Sequence, residues 1–149
     1  MWPKITRNYS PNFSLPKRSV KKIKFIIIHY TGMKNENLAI KRLCSFSSNV
    51  SAHYFIKKNG KIINLVPELY EAWHAGTSKW KNLKSLNQYS IGIEIHNPGH
   101  NHKYESFSIK EICSLINLLK NLLKKYKINR KNILGHSDIA PNRKKDPGE

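Results

Sequence analysis

Ile23-Lys24-Phe25-Ile26-Ile27-Ile28-His29 is the stretch that decides the fold. A nearly continuous β-branched run indicates a strand that is buried on both faces, because a strand with one wet face alternates apolar with polar residues. The run ends in a histidine, and a rigid strand would hold that ring still at the edge of the sheet. The sequence therefore predicts a central strand that carries a functional residue at its end.

Helices and strands are predicted to alternate around this strand. Helical spacing predicts one helix from about Asn37 to Phe46 and a longer one from Ser108 to about Tyr126, the second opened by a capping box. Asn59-Gly60 favours a two-residue hairpin turn between strands at Ala52–Lys58 and Lys61–Val66. Helices alternating with strands are typical of an α/β domain.

Two further strands are predicted at Tyr89–Ile95 and at Ile133-Leu134. In the first of these, isoleucines alternate with Ser90, Gly92 and Glu94, so the polar residues share one face. Gly92 has no side chain and leaves space beside Glu94, so the Glu94 carboxylate is well placed to face a site. The expected fold is a single α/β domain with a central mixed β-sheet flanked by α-helices and a site at the strand ends.

The expected domain spans residues 23–149, with residues 1–22 as an irregular arm packed on it, because three prolines oppose a helix there. Cys44 and Cys113 fall within helical patterns, which favours a core role over a disulfide. The long helix is expected to bury one apolar stripe. That stripe consists of Ile109, Ile112, Ile116, Leu119, Leu123 and Tyr126.

Charge is the dominant bulk property, with 27 basic against 9 acidic residues and a formal net charge of +18. Such a field attracts polyanions of any kind, so a charge-driven polyanion-binding protein stays an alternative. We do not expect nucleic acid as the partner, because there is no recognition-helix pattern and no aromatic-basic interleaving. No apolar run has the length of a signal peptide or a membrane span, so we expect a cytoplasmic protein, or a periplasmic one if a leader was removed.

The stretch from Gly135 to Gly148 combines a histidine, cations and a carboxylate, and its prolines indicate a loop. A catalytic zinc takes imidazole and carboxylate ligands, three from the protein, and leaves a position for water. His136 and Asp146 supply two candidates, and His29 is the best third. Histidines beside loops are more often surface or packing residues, so these residue types alone leave both interpretations open.

Six segments together resemble one family, the zinc-dependent N-acetylmuramoyl-L-alanine amidases of the AmpD and AmiD type. The same superfamily contains phage lysozyme-type amidases and peptidoglycan recognition proteins. The segments occur in the order of the family and span almost the whole chain. They are Ser10-Pro11-Asn12-Phe13, Ile26–Thr31, Val50–Tyr54, Trp73-His74-Ala75-Gly76, Ser90–Glu94, and Gly135–Asp138 together with Lys144–Gly148.

The resemblance implies a zinc enzyme that hydrolyses the amide between N-acetylmuramic acid, or its 1,6-anhydro form, and L-alanine of the stem peptide, in wall turnover or muropeptide recycling. It implies one Zn²⁺ held by His29, His136 and Asp146. It also makes Glu94 the general base and Lys144 the residue that steadies the oxyanion. Some relatives have a catalytic tyrosine at the position of Ala52, and its absence leaves proton transfer to Glu94 alone.

Peptidoglycan fragments are the implied partners, with Trp73, His74 and Asn87 as substrate-binding candidates. Trp73 and Trp80 either stack on sugar rings or pin their loop, and His74 is equally open to a structural role. A non-catalytic peptidoglycan-binding receptor is the alternative function. Relatives continue past the Asp146-Pro147-Gly148 turn, so the sequence leaves open whether this chain is a catalytic fragment.

The remaining histidines are not assigned to the site. His53 lies in a predicted hairpin strand, where a structural role is expected. His96, His100 and His102 are close together in sequence, but they are expected to be surface residues and not a second metal site.

Overall fold

A computed structural model describes residues 2–148. Its strands are β1 (Ile5–Arg7), β2 (Phe13–Ser14), β3 (Phe25–Tyr30), β4 (Tyr54–Ile56), β5 (Ile62–Asn64), β6 (Glu71–Ala72), β7 (Lys79–Trp80), β8 (Leu83–Lys84), β9 (Ser90–Ile95) and β10 (Ile133–Gly135). Its helices are α1 (Glu36–Leu43), α2 (Ile109–Tyr126) and α3 (His136–Ile139). Single turns of 3-10 helix separate several of them.

Six of the strands form the main sheet, in the order β1-β5-β4-β9-β3-β10. Only β4 and β5 pair antiparallel, across the hairpin predicted from Asn59-Gly60, and the other neighbours are parallel. The predicted central strand is β3, an interior strand between β9 and β10. The α/β fold with a mixed central sheet is therefore confirmed.

The two faces of the sheet are covered differently. One face packs on α2, where Leu118 and Leu122 meet isoleucines of β3 and β9. The other face carries Phe25 and Ile27 against α3 and the loop before β9, while Phe55 packs against α1. Because side chains alternate along a strand, His29 and Glu94 belong to this second face. The predicted alternation along β9 is thus observed.

The N-terminal arm is more regular than expected. β1 pairs parallel with β5 at the edge of the main sheet, and β2 pairs antiparallel with β6. The prolines oppose a helix, but they do not oppose edge strands, where a missing N–H costs little. The expectation of an irregular arm was therefore wrong for these residues, and the division at residue 22 stays a prediction.

The predicted stripe of α2 is confirmed in its second half and wrong in its first. Leu119, Leu123 and Tyr126 are partly buried and pack against the core. Ile109, Ile112 and Ile116 are 83%, 39% and 47% exposed, and Leu118 and Leu122, which lie outside the predicted stripe, are buried, so the buried face is rotated from the predicted one. Polar contacts fix this rotation. Ser108 Oγ donates to the Lys58 carbonyl at 2.8 Å, and Ser114 Oγ donates to the Gly60 carbonyl at 2.6 Å, so the polar side of the first turns faces the hairpin. Those contacts turn the three isoleucines outward.

Other boundaries also differ from expectation. Cys113 is exposed, so its predicted core role was wrong, whereas Cys44 is partly buried. The predicted loop from Gly135 onward begins with one helical turn, α3, because both prolines lie beyond it. Within residues 2–148, no helix combines the length and the apolar character needed to cross a membrane.

Candidate metal centre and active site

Three side chains from distant parts of the chain meet at one end of the sheet. His29 ends the buried part of β3, and His136 directly follows β10, the parallel neighbour of β3. Asp146 returns to them after the Pro141 turn. His29 Nδ1 lies 2.9 Å from His136 Nδ1, and Asp146 Oδ2 lies 3.2 Å from each of these nitrogens. All three residues are buried.

This triangle suits a tetrahedral metal ion. Ligand atoms about 2.0 to 2.1 Å from one zinc are about 3.3 to 3.4 Å apart in a tetrahedron, close to the spacings found here. Two imidazoles and one carboxylate are also the ligand types that a catalytic zinc uses. The predicted triad is therefore assembled as a possible metal site.

Hydrogen bonds behind the histidines fix which ring nitrogens face this site. His136 Nε2 lies 3.0 Å from the carbonyl of Ala75. A carbonyl only accepts, so His136 donates from Nε2 and keeps a lone pair on Nδ1. This arrangement is the usual support for a metal-bound histidine.

His29 is oriented by a longer chain that also ends in a carbonyl. Ser90 Oγ donates to the Leu86 carbonyl at 2.6 Å, and it therefore accepts from His74 Nε2 at 3.2 Å. His74 Nδ1 then accepts from His29 Nε2 at 2.9 Å. His29 therefore carries its proton on Nε2. Its lone pair is on Nδ1, which faces the site.

Electrostatics keeps these groups in their ligand states. Burial lowers the pKa of His29 to about 4, although the adjacent carboxylate of Asp146 opposes the shift. Burial alone would raise the pKa of Asp146, but the adjacent rings of His136 and His29 outweigh it, so the pKa lies well below the ordinary value. A neutral imidazole and a carboxylate at neutral pH are the forms that bind metal.

Glu94 lies beside the triad, because it pairs in register with His29 across β9 and β3. Its Oε2 is buried and has no hydrogen-bond partner among the described residues. Burial, followed by the nearby charge of Asp146, raises the pKa of Glu94 well above the ordinary value. A carboxylate with a raised pKa can accept a proton and return it near neutral pH.

The site opens into a cavity of about 470 Å³. The triad and Glu94 line it together with four cationic residues: Arg42, Arg143, Lys144 and Lys145. Lys144 is half-buried, and its charge acts to lower the pKa of both Glu94 and His29, so the ammonium lies near them. The cavity therefore favours an anionic or carbonyl-rich ligand.

The three predicted substrate contacts have different positions. Trp73 and His74 line the cavity, but Trp73 Nε1 donates to Ser14 Oγ at 2.8 Å and both ring nitrogens of His74 are used. Asn87 is not part of the lining. Its Oδ1 accepts the backbone N–H groups of His74 and Ala75, at 3.0 and 2.7 Å. The structure thus gives Asn87 a scaffold position, and its substrate contact stays a prediction.

Two residues of the site were missed by sequence reasoning. Ser90 completes the chain behind His29, and its place on the polar face of β9 was the available signal. Arg143 donates from Nη2 to the carbonyls of Ala75 and Thr77, at 3.0 and 2.8 Å, and so joins the loop after β6 to the loop that carries Asp146. Its position among lysines gave no signal.

The other histidines divide as follows. His53 Nδ1 accepts from the Gly92 N–H at 3.0 Å, and its Nε2 lies 2.9 Å from the Tyr70 carbonyl, which is a structural role. His100 borders the cavity, with Nδ1 at 2.9 Å from Tyr30 Oη. His100 and His102 are exposed as expected, but His96 is buried, so its predicted surface position was wrong. Within residues 2–148, these three histidines do not form a second group with metal-ligand spacing.

Comparison with known proteins gives consistent matches. Residues 19–149 match the family model described as N-acetylmuramoyl-L-alanine amidase. The chain is 38% identical over 139 residues to the N-acetylmuramoyl-L-alanine amidase AmiD of Escherichia coli (strain K12), covering 85% of this chain and 49% of that protein. It is 39% identical over 105 residues to the 1,6-anhydro-N-acetylmuramyl-L-alanine amidase AmpD of Haemophilus influenzae, covering 70% of this chain and 55% of that one.

A solved structure shows the same similarity in three dimensions. It is the complex of AmiD from E. coli with the substrate anhydro-N-acetylmuramic acid-L-Ala-D-gamma-Glu-L-Lys, with a TM-score of 0.78 and 36% identity. The match covers 91% of this chain and 56% of that chain. The present chain thus spans about half the length of the curated relatives that it matches.

Proposed function

Because the chain belongs to the N-acetylmuramoyl-L-alanine amidase family, we propose that it hydrolyses the amide between N-acetylmuramic acid, or its 1,6-anhydro form, and L-alanine of the stem peptide. One observation carries the proposal. The triad of His29, His136 and Asp146 converges beside Glu94, whose Oε2 is buried without a hydrogen-bond partner among the described residues, in one open cavity. The solved relative binds an anhydro-muropeptide.

Zinc is the metal that we propose for the triad, since two imidazoles and a carboxylate within 3.2 Å of one another suit it. When bound, the ion would polarise the scissile carbonyl and make a water molecule more acidic. His74 and the Ala75 carbonyl would hold the two imidazoles in their metal-binding tautomers.

Glu94 is the proposed general base. Its raised pKa allows it to take a proton from the attacking water and to give that proton to the departing L-alanine nitrogen. Lys144 lines the same cavity and would offset the negative charge that develops on the carbonyl oxygen. Ala52 is fully buried and carries no acid or base, so Glu94 has no tyrosine partner there.

The cationic lining suits the substrate class. A stem peptide carries carboxylates, and Arg42, Arg143 and Lys145 surround the cavity that would receive it. We propose no preference between the two sugar forms. A cytoplasmic location and a role in recycling stay predictions, which fractionation of the producing cells would test.

The test compares native protein with Glu94→Gln, His136→Ala and the control Glu105→Gln, whose carboxylate is exposed and outside the cavity. Each protein is incubated with anhydro-muropeptides and with whole sacculi, and the products are identified by mass spectrometry. The zinc content of each protein is measured separately. We expect cleavage by the native and control proteins. Glu94→Gln should keep zinc and lose on the order of 100- to 10,000-fold in rate, and His136→Ala should lose zinc and activity.

Two outcomes would contradict the proposal. Equal rates for native protein and Glu94→Gln would remove Glu94 from its role. A native protein that binds zinc and muropeptides without releasing the stem peptide would instead be a peptidoglycan-binding receptor.

A further inference from the structure

A second cavity, of about 610 Å³, lies on the face of the sheet that α2 covers. We call it the posterior groove, and it shares no lining residue with the catalytic cavity. Arg7, Asn64 and Tyr54 form a row across β1, β5 and β4, because Asn64 is in register with both of the others. The end of α2 and the N-terminal arm complete the walls.

The floor of the posterior groove is held in place by one buried carboxylate. Glu68 is 8% exposed and accepts hydrogen bonds from the hydroxyl groups of Tyr54 and Tyr126. It also accepts from Lys125 Nζ at 2.6 Å. Two rings and one ammonium are thus fixed by a single group, so the groove is preorganised and needs little ordering when a ligand binds.

Cations and tyrosine rings alternate along the walls. Lys17 Nζ lies 5.6 Å from the centre of the Tyr70 ring, and Lys125 Nζ lies 5.2 Å from that of Tyr126. Arg7 adds a third cation, whereas Glu68 is the one carboxylate in the lining. Tyr9 is 54% exposed and offers an open ring at the rim. The groove therefore presents a flat apolar ring beside an excess of positive charge.

We propose that the posterior groove binds the peptidoglycan polymer itself, a glycan strand with acidic stem peptides, separately from catalysis. This rests on the proposed function, because it names a second site for the same polymer. The apolar face of a pyranose would pack on Tyr9, and stem-peptide carboxylates would pair with Arg7 and Lys17. Binding at a second site raises the effective concentration of bonds that the catalytic cavity meets.

Charge argues against a second copy of this chain as the occupant. Each copy carries a net charge of +18, and the groove walls are themselves cationic, so two copies would repel at this surface. An acidic glycopeptide has the opposite charge to the groove walls, and its sugar rings can also pack on Tyr9. One ligand then accounts for both the cations and the exposed ring.

The experiment measures binding to purified sacculi in the Glu94→Gln background, where the polymer should not be cut. The groove variant is Arg7→Glu/Tyr9→Ala/Lys17→Glu. The control is Lys110→Glu/Lys131→Glu, which changes the same charge at exposed positions outside both cavities. We expect the groove variant to bind sacculi at least about tenfold more weakly than the control. With Glu94 restored, kcat/KM on a soluble anhydro-muropeptide should be unchanged.

Further arms separate the possible ligands. Half of the sacculi are treated with hydrofluoric acid to remove phosphate-linked polymers, and double-stranded DNA is offered as a competitor. The proposal is overturned if groove and control variants bind equally, if acid treatment abolishes binding, or if DNA displaces the sacculi at low concentration. Soluble-substrate hydrolysis is read separately, so loss of that activity in the native protein would refute the proposed function and not the groove.

Discussion

The carbonyl of Leu86 determines, through three hydrogen bonds, which ring nitrogen of His29 presents a lone pair to the triad. Ser90 donates to it, His74 donates to Ser90, and His29 donates to His74. The Leu86 carbonyl can only accept a hydrogen bond. Each of the three side chains must therefore donate to the next group towards this carbonyl, and Ser90 and His74 also accept from the side chain before them. The tautomer of His29 is therefore a property of the loop before β9 as much as of β3.

Gly92 makes this chain possible, because a Cβ at that position would lie 2.4 Å from His74 Cγ. We predict that Gly92→Ala displaces the His74 ring, lowers the free energy of unfolding by about 1 to 3 kcal/mol through overpacking, and weakens zinc affinity by about 10- to 100-fold through loss of the support for His29. Zinc titration and urea unfolding measure both effects.

The matched variants are His74→Ala and the double variant Gly92→Ala/His74→Ala. His74→Ala should weaken zinc affinity to the same degree, and the double variant should be as stable as His74→Ala, because the clash has been removed. A double variant that loses the full sum of both stability changes would show that Gly92 acts elsewhere.

The buried neutral His53 predicts a pH dependence of stability. Burial, followed by the charge of Arg18, lowers its pKa to about 3 in the folded protein. The unfolded chain, with a histidine pKa near 6.5, then binds more protons between these values. The contribution of His53 to stability is therefore greatest above about pH 6.5 and falls as the pH drops, by at most about 1.4 kcal/mol per pH unit.

Urea unfolding of the metal-free protein between pH 7 and pH 5 measures this slope. His53→Gln should have a shallower slope than native protein, whatever its absolute stability, and the exposed His102→Gln should keep the native slope. Parallel slopes for all three proteins would contradict the assignment.

At the scale of elements, what the sequence reveals depends on whether a pattern is local. The run before His29, the alternation along β9 and the Asn59-Gly60 turn are local, and each element was predicted correctly. The rotation of α2 was not predicted correctly, because its apolar residues form two adjacent stripes, either of which could face the core. Polar contacts from Ser108 and Ser114 to a distant hairpin select one of them. For the site, Glu94 was visible from alternation, but the scaffold position of Asn87 depends on a loop with no periodicity.

The orientation of α2 leads to a prediction that opposes the one from its sequence. Ile112→Gln and Ile116→Gln should each lower the free energy of unfolding by no more than about 1 kcal/mol, because these side chains are 39% and 47% exposed. Leu118→Ala and Leu122→Ala should each cost about 2 to 5 kcal/mol, because both are fully buried. Urea unfolding at neutral pH compares the four. A large loss in the isoleucine variants would mean that this outer face is covered.

For the whole molecule, the possible metal site joins parts of the chain that are far apart in sequence. His29 belongs to β3, and His136 and Asp146 follow β10 near the other end of the described residues. An ion bound to all three would stabilise the folded chain alone, because the unfolded chain does not hold the ligands together. Stabilisation should then grow with free zinc, reaching about 4 kcal/mol at a thousandfold excess over Kd.

We predict that removing the metal with a chelator lowers the Tm by roughly 8 to 16 °C relative to zinc-saturated protein, from about 2 to 4 °C per kcal/mol for a chain of this size. Scanning calorimetry across a zinc series measures it. Mg²⁺ should give no such shift, because it prefers oxygen ligands and an octahedral site, and His29→Ala should not respond to zinc. A zinc response that survives in His29→Ala would place the stabilising ion elsewhere, and the triad would then no longer link the two ends of the fold.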